Sequence, residues 1–392
     1  MKVGLMVKRT LQGATAMAAL LIGGVTACTG PPAKSSPPGH LAAGAGRDQR
    51  GFTLVASGDV LPHASIIRRA AADAGGEGYD FAPMLAGAKS VVSAADLAIC
   101  HMETVYGKDG GPYTGYPDFK SPPEVAKGLS ATGYDACSTA SNHSLDAGAE
   151  GIDRTLAALD KAGVRHVGSA RTEAESKEPA WLKGGSAKVA QLAYTYGTNG
   201  YPMPEGRPWA VNMIDEDRIV ADARAARKAG ADVVVVSIHW GTEWQDEPDA
   251  QQVRLGKALT ASKTDGRPDI DLILGTHAHV PQAYEKINGT WVIYGMGDQV
   301  AGAMVNHSGA FDPRGNQGTI GRFTFAPPKR EGQRWEVRKA EFLPQWFDPD
   351  AGRVVDLNAA IKGGADHTDV RDRIREVVLS RGAAKAGLRM GR

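Results

Sequence analysis

Five apolar segments of the sequence are each followed at once by side chains that bind metal ions or move protons. The five groups are Gly58-Asp59, His101-Met102-Glu103, Asn142-His143, His239-Trp240-Gly241 and Gly275-Thr276-His277-Ala278-His279. Carboxylate, amide oxygen and imidazole together are the ligands of Mn, Fe and Zn. In an open α/β sheet, ligands bind at the carboxyl ends of the strands. If the apolar segments are strands, the sequence predicts a divalent metal site at that edge.

The His-x-His pair strengthens this prediction. In an extended chain, side chains i and i+2 point the same way. We therefore expect His277 and His279 to face one metal cluster.

The elements that must position these groups are strands and helices in alternation from Phe52 onward. Residues 149–162 have apolar side chains at helical spacing and are followed by Gly163, which predicts a helix ending there. Residues 233–238 form a continuous apolar run, as in a strand covered on both faces. Asn288-Gly289 between two β-prone segments predicts a hairpin. This order indicates an α/β fold with one domain over 51–345 and an extension over 346–392 that carries a terminal helix.

The composition excludes some classes of protein. The 392 residues are 42% hydrophobic, which is enough for a sizeable core. The 45 Lys and Arg residues nearly balance 44 Asp and Glu residues. A nucleic-acid-binding surface needs a basic excess, so no nucleic-acid partner is expected.

The first 27 residues have the pattern of an export signal. Lys2, Lys8 and Arg9 precede an apolar stretch over 14–25, which is shorter than the roughly 20 apolar residues of a membrane span. Val25-Thr26-Ala27-Cys28 resembles a bacterial lipobox, with Cys28 carrying the lipid. The alternative is a soluble secreted protein cut nearby. Residues 28–50 are rich in Pro, Gly and Ser and predict a tether. The expected location is the outer face of the bacterial cell membrane.

Cys100 and Cys137 each end a predicted strand. An oxidising compartment permits a bridge between them. The interpretation favoured by the sequence is two small buried apolar side chains.

The motifs together resemble the CapA, or poly-γ-glutamate biosynthesis, branch of the calcineurin-like metallophosphoesterase superfamily. They are GDVL (58–61), ME (102–103), ASNHSLDAG (140–148), HWG (239–241), GTHAHVPQ (275–282) and GMGDQV (295–300). The resemblance covers about residues 52–300. It implies a sandwich of two mixed β-sheets flanked by helices, a role in capsule or poly-γ-glutamate production, and two divalent ions.

The resemblance also implies roles for individual residues. Asp59 and His279 would bind the first metal and Glu103 would bridge both. Asn142, His239 and His277 would bind the second metal. His143 would protonate a leaving group or steady a transition-state oxygen.

Several positions depart from the superfamily pattern. Leu61 stands where a His is usual, and His63 either substitutes for it as a ligand or begins a helix. His101 is either an extra site residue or a packed side chain. Asp146 is expected to cap the following helix, and Asp298 stands where the branch often has Asn. Whether the site binds one metal ion or two therefore stays open.

Aromatic residues in loops are the candidates for substrate binding. The residues expected to contact substrate are Tyr116, Tyr196 and Trp240, together with the amide side chain of Asn199. Trp244 is expected to form part of the wall of the same cleft. The alternative is that such aromatics anchor long loops to the core.

Three functions follow from these observations. The first is a metal-dependent hydrolase of phosphoester or amide bonds in a cell-envelope polymer or peptide. The second is a non-catalytic accessory or export subunit of a membrane polymer synthase. The third is a metal-independent peptide-modifying enzyme, such as an epimerase.

Overall fold

The computed structural model describes residues 51–330 and 333–392. The predicted signal peptide (1–27), the tether (28–50) and the lipidation site Cys28 lie outside the described residues. Within the described ranges, no helix is both long and apolar enough to span a membrane.

The strands are numbered here in chain order. They are β1 (Phe52–Val60), β2 (Leu97–Met102), β3 (Ala136–Ser138), β4 (Arg165–Val167), β5 (Ala180–Gly184), β6 (Ala187–Thr195), β7 (Val233–His239), β8 (Lys263–Thr264), β9 (Arg267–Pro268), β10 (Leu272–Thr276), β11 (Tyr284–Ile287), β12 (Thr290–Ile293), β13 (Asp298–Val300), β14 (Gln317–Ala326), β15 (Glu336–Asp348), β16 (Arg353–Asp356) and β17 (Leu388–Met390).

The α-helices are numbered in the same way. They are α1 (Ala64–Asp73), α2 (Ala86–Val92), α3 (Glu124–Thr132), α4 (Gly148–Ala162), α5 (Glu173–Ser176), α6 (Glu216–Lys228), α7 (Ala250–Ala261), α8 (Leu357–Lys362) and α9 (Thr368–Leu379). Two short 3₁₀ turns cover Pro83–Leu85 and Pro313–Asn316. The predicted terminal helix exists but ends at Leu379, before the Ser380–Arg381–Gly382 turn.

Most strands form two mixed sheets, as the resemblance implied. The first sheet has the order β16-β15-β14-β1-β2-β3-β4, with β13 beside β1 and β17 beside β15. Strands β1 to β4 run parallel to one another, and the pairs β1-β14, β14-β15 and β15-β16 are antiparallel, whereas β17 is parallel to β15. Because β16 and β17 both pair with β15, part of the segment 346–392 lies in the same sheet as residues 52–60.

The second sheet has the order β11-β12-β10-β7-β6-β5. Its four inner strands are parallel and its two edge strands are antiparallel. The predicted hairpin at Asn288-Gly289 connects β11 to β12.

The two faces of strand β7 pack against different layers of the molecule. Val233 and Val235 pack into the core shared with the first sheet, whereas Val234 and Val236 pack with α6 and α7 on the opposite face. All four are fully buried, which explains the continuous apolar run. The molecule is therefore a sandwich of two mixed sheets with helices outside, as predicted.

Cys100 and Cys137 form a disulfide, which corrects the interpretation as two separate buried side chains. They are direct partners across the parallel strands β2 and β3, with Cα atoms 4.4 Å apart. The sequence placed both residues on strands, but only the register between those strands makes them face each other.

Candidate metal centre

The first sheet brings three polar side chains to the ends of neighbouring strands. Asp59 of β1 is in register with His101 of β2 on one side and with Asp298 of β13 on the other. Glu103 follows β2 directly. These strands run parallel, so their carboxyl ends meet at one edge.

The second sheet supplies the imidazoles. His239 ends β7 and is in register with Thr276, which ends β10. His277 and His279 follow immediately. The peptide N–H of His277 donates to Asp59 Oδ2 at 3.1 Å, which ties the two sheets together at the site.

The expected geometry of the His-x-His segment was wrong. His277 and His279 are not extended but have φ angles of 95° and 58°, in the left-handed region. For residues other than Gly this conformation costs about 1–3 kcal/mol each, and such strain clusters at functional sites. The two rings converge, with centroids 6.1 Å apart, because the chain turns sharply after β10.

Two overlapping groups of three side chains are arranged to hold metal ions. They are Asp59, His101 and His239, and Asp59, Glu103 and His279; within each group the ligand atoms lie within 4.8 Å of one another. Every member is buried. Asp59 belongs to both groups, so a shared carboxylate joins them.

Several polar atoms of this cluster have no hydrogen-bond partner in the described part of the chain. They are Asp59 Oδ1, both Glu103 oxygens, His101 Nε2, His277 Nδ1 and Asp298 Oδ2. A buried polar atom without a partner is costly, and a bound cation removes that cost. The residues present therefore fit a divalent metal ion.

The protonation states of the cluster follow from burial. Burial, helped by the charge of Asp298, raises the pKa of Asp59 to about 8. Burial also raises the pKa of Glu103 well above 4.5. By contrast, burial lowers the pKa of His101 to about 3 and that of His239 well below 6.5. Neutral imidazoles are the form that binds metal.

His279 behaves differently from the other imidazoles. Burial alone would lower its pKa, but the carboxylates of Asp298 and Glu103 raise it well above 6.5. Its Nδ1 donates to Asp298 Oδ1 at 3.0 Å. A carboxylate that orients a metal-binding His in this way is a common feature of metal sites.

The residues expected around a second metal also lie together. His239 Nε2 donates to Asn142 Oδ1 at 2.8 Å and is 3.9 Å from Glu103 Oε1. The rings of His239 and His277 are 4.7 Å apart. These four side chains share one buried volume between the sheets.

His143 lies beside this cluster and is held by Asp146. Its Nδ1 donates to Asp146 Oδ2 at 2.7 Å, and the same oxygen accepts the Phe119 N–H. The expected helix-capping role of Asp146 is therefore wrong, since Ala147 is the N-cap of α4 and no side chain caps it. With Nδ1 occupied, Nε2 is the nitrogen that His143 has available for proton transfer.

The sequence left the roles of two histidines, His101 and His63, undecided, and the structure places them differently. His101 belongs to the first ligand group and stacks on His239 at 4.7 Å. His63 precedes α1 as its N-cap, and its Nδ1 lies 3.1 Å from the Leu61 carbonyl oxygen. It lines a cavity together with His143 and His279 but belongs to neither ligand group.

That cavity, of about 490 Å³, opens beside the cluster. Tyr116 lines it and is 75% exposed. Tyr196 and Asn199 lie on another side of the cluster: the Tyr196 ring is 4.4 Å from that of His277, and Asn199 Oδ1 accepts from Asn142.

Trp240 corrects the sequence prediction, because it is fully buried and its Nε1 donates to the Tyr294 carbonyl. It packs in the core between the second sheet and its helices. Glu243, which the sequence reasoning missed, lines the cavity instead. The available signal was a carboxylate four residues beyond the end of β7.

Comparison with known proteins shows which family and which relatives this chain is similar to. The sequence model of the bacterial capsule synthesis protein PGA_cap matches residues 53–303. The chain is 27% identical over 180 residues to the capsule biosynthesis protein CapA of Bacillus anthracis, covering 45% of this chain and 42% of that protein. It is 28% identical over 219 residues to a probable polyglutamine synthesis accessory protein of Mycobacterium tuberculosis, covering 53% of this chain and 56% of that one. The chain thus spans about half the length of the curated relatives it matches.

Similar solved structures include a putative 5'-nucleotidase from Staphylococcus aureus, with 17% identity and a TM-score of 0.47 over 74% of this chain and 54% of that one. Another is the NAD nucleotidase of Haemophilus influenzae, with 14% identity and a TM-score of 0.43 over 87% of this chain and 64% of that one. At these TM-scores the similarities carry no functional inference.

The sandwich of two mixed sheets holds, at its strand ends, a buried cluster of carboxylates and imidazoles that fits a divalent metal ion. The chain belongs to the bacterial capsule synthesis protein family PGA_cap.

Proposed function

We propose that this protein is a metal-dependent hydrolase that acts on a cell-envelope polymer as part of a polymer synthesis system. The observation that supports this most directly is the pair of ligand groups joined by Asp59, with unpartnered carboxylate oxygens facing one another. Closed structural sites lack the adjoining cavity found here, whereas catalytic sites keep room for water and substrate. The bond cleaved is a phosphoester or an amide.

Different residues of the site would bind the metal, orient its ligands and donate a proton. A metal ion bound here supplies Lewis acidity and lowers the pKa of a bound water. Asp59, Glu103 and His239 would hold such ions, while Asp298 fixes the orientation of the His279 ring. His143, with its Nδ1 fixed by Asp146, presents Nε2 as the proton donor to a leaving group.

The proposed location is the outer face of the bacterial membrane, with the chain anchored through lipidated Cys28. The lipobox-like segment 25–28 supports the anchor. The Cys100–Cys137 disulfide supports an exported protein, since disulfides persist mainly in oxidising compartments. Labelling cells with a radioactive fatty acid should mark the wild type but not the Cys28→Ala variant, which should leave the membrane fraction. Membrane retention of that variant would contradict the anchor.

Metal content and hydrolysis test the catalytic proposal. Protein purified with Mn²⁺ should retain at least about one equivalent by elemental analysis and hydrolyse bis(p-nitrophenyl) phosphate. Glu103→Gln should lose both properties, because it removes a charged ligand. Glu247→Gln changes an exposed carboxylate of the 241–249 loop and is the matched control. Wild-type protein that binds no metal under these conditions would refute the proposal.

A second candidate function is an accessory role without turnover, supported by the Mycobacterium tuberculosis relative, which is named a probable polyglutamine synthesis accessory protein. The variant His143→Ala separates the two functions, because it leaves the metal ligands in place. In a strain that depends on this protein for polymer production, a hydrolase carrying His143→Ala fails to restore polymer, whereas a non-catalytic subunit restores it.

A further inference from the structure

The cavity beside the metal cluster has an unusual wall for a site expected to receive an anionic polymer. Tyr116, Phe119 and Trp244 supply aromatic surface, and Glu243 supplies a carboxylate. Among the residues that line it, all within the described part of the chain, there is no Lys or Arg. The remaining polar side chains are mainly imidazoles. A polyanion entering this cavity would meet no Lys or Arg, and the positive charge of His279 is already balanced by the Asp298 carboxylate.

Trp244 is held in place by a backbone conformation that is rare for a bulky residue. Its φ is 68°, and its N–H donates to the Ala278 carbonyl at 2.9 Å. The ring lies 6.1 Å from that of His279. Its other side rests on Gly315, where an added Cβ would lie 2.7 Å from the indole. Strain of this kind persists only where the surroundings enforce it, and it clusters at functional sites.

Glu243 carries a charge that no Arg or Lys neutralises in the described part of the chain. Its ion-pair partner there is His307, with Glu243 Oε2 3.4 Å from the His307 Nε2. His307 is 70% exposed, so solvent screens that pair.

We propose that this cavity binds an ammonium group of the substrate, with Trp244 and Tyr116 as the aromatic wall and Glu243 as the counter-charge. Cations bind over the faces of Trp and Tyr, and quaternary ammonium ligands are commonly recognised in this way. The inference rests on the proposed function, and it names the class of substrate: one in which the bond to be cleaved lies close to a cationic group.

Binding of choline tests this assignment without turnover. Its uncharged isostere, 3,3-dimethylbutan-1-ol, has the same shape. The full-length protein, loaded with Mn²⁺ at low ionic strength, should bind choline roughly 3- to 30-fold more tightly than the isostere in a calorimetric titration. Glu243→Gln and Trp244→Leu should each reduce that preference, whereas the control Glu247→Gln should leave it unchanged. Equal affinity for the two probes, no binding of either, or a preference that survives Glu243→Gln would overturn the assignment.

A matched pair of esters extends the test to catalysis. p-Nitrophenyl phosphorylcholine should be hydrolysed with a higher kcat/KM than 3,3-dimethylbutyl p-nitrophenyl phosphate, by a similar factor. Hydrolysis of both esters at equal rates would overturn the cation site while leaving the hydrolase intact. Choline binding with no hydrolysis of any ester would preserve the cation site and refute the hydrolase.

Discussion

Binding of a divalent metal to the metal-free protein at pH 7 should release about one proton from Asp59. This carboxyl, with a pKa of about 8, is about nine-tenths protonated at that pH. Burial also raises the pKa of Glu103 well above its ordinary value, so any proton that Glu103 holds at pH 7 adds to this number. Both carboxyls must ionise to hold a cation. At pH 8 Asp59 is about half ionised, so its share falls to about 0.5.

Calorimetric titration with Mn²⁺ in buffers of different ionisation enthalpy measures this number directly. Since each released proton makes metal affinity rise about tenfold per pH unit, the Asp59 proton alone should raise the affinity about tenfold from pH 6 to pH 7. Asp59→Asn should remove about one proton from the count, and Glu247→Gln should not change it. Metal binding without proton release at pH 7 would show that these carboxyls are already ionised, and the desolvated cluster described here would be wrong.

Three further predictions concern the fold and the proton donor. In EDTA the thermal stability should fall as the pH rises from about 7 to about 8, because the folded state keeps a proton on Asp59 that the unfolded chain has released; a flat profile over that range would contradict the raised pKa. His143→Ala should lower kcat by about 10²–10⁴ with metal content unchanged, and Asp146→Asn should lower kcat by a smaller factor, because the His143 ring loses the hydrogen bond that orients it. Replacing Cys100 and Cys137 by Ala should cost about 4 kcal/mol in denaturant unfolding, given their separation of 37 residues; a loss below about 1 kcal/mol would argue against the loop-entropy account.

The sequence correctly predicted which polar side chains follow the carboxyl ends of the strands, because that prediction depends on local patterns. Apolar runs such as 233–238 identify buried strands, and parallel strands place whatever follows them at one edge. Asp59 and Glu103 therefore lie together at the edge of the first sheet. His239 ends a strand of the second sheet, so its approach to Asp59 depends on how the two sheets pack, which local patterns do not reveal.

The parts that sequence reasoning missed depend on contacts between distant segments. Trp240 points into the core behind the second sheet, while the left-handed turn at Trp244 directs the next indole into the cavity. Asp146 bonds Phe119 and His143 because the 104–121 loop folds over it. The Cys100–Cys137 bridge depends on the register of β2 against β3. Residue type and spacing carry no information on these registers and turns.

The distribution of charge around the cluster determines the orientation in which the proposed substrate would bind. In the described part of the chain the ion-pair partners of Asp59, Glu103 and Asp298 are histidines, not Arg or Lys. A divalent cation is therefore the positive charge that this cluster is built to receive, and it attracts an anionic or carbonyl oxygen. The neighbouring cavity keeps its own negative charge at Glu243, which attracts the opposite sign. A substrate with an oxyanion at one end and an ammonium group close by satisfies both, and it can bind in only one orientation. That orientation presents the bond between the two groups to the metal centre beside His143.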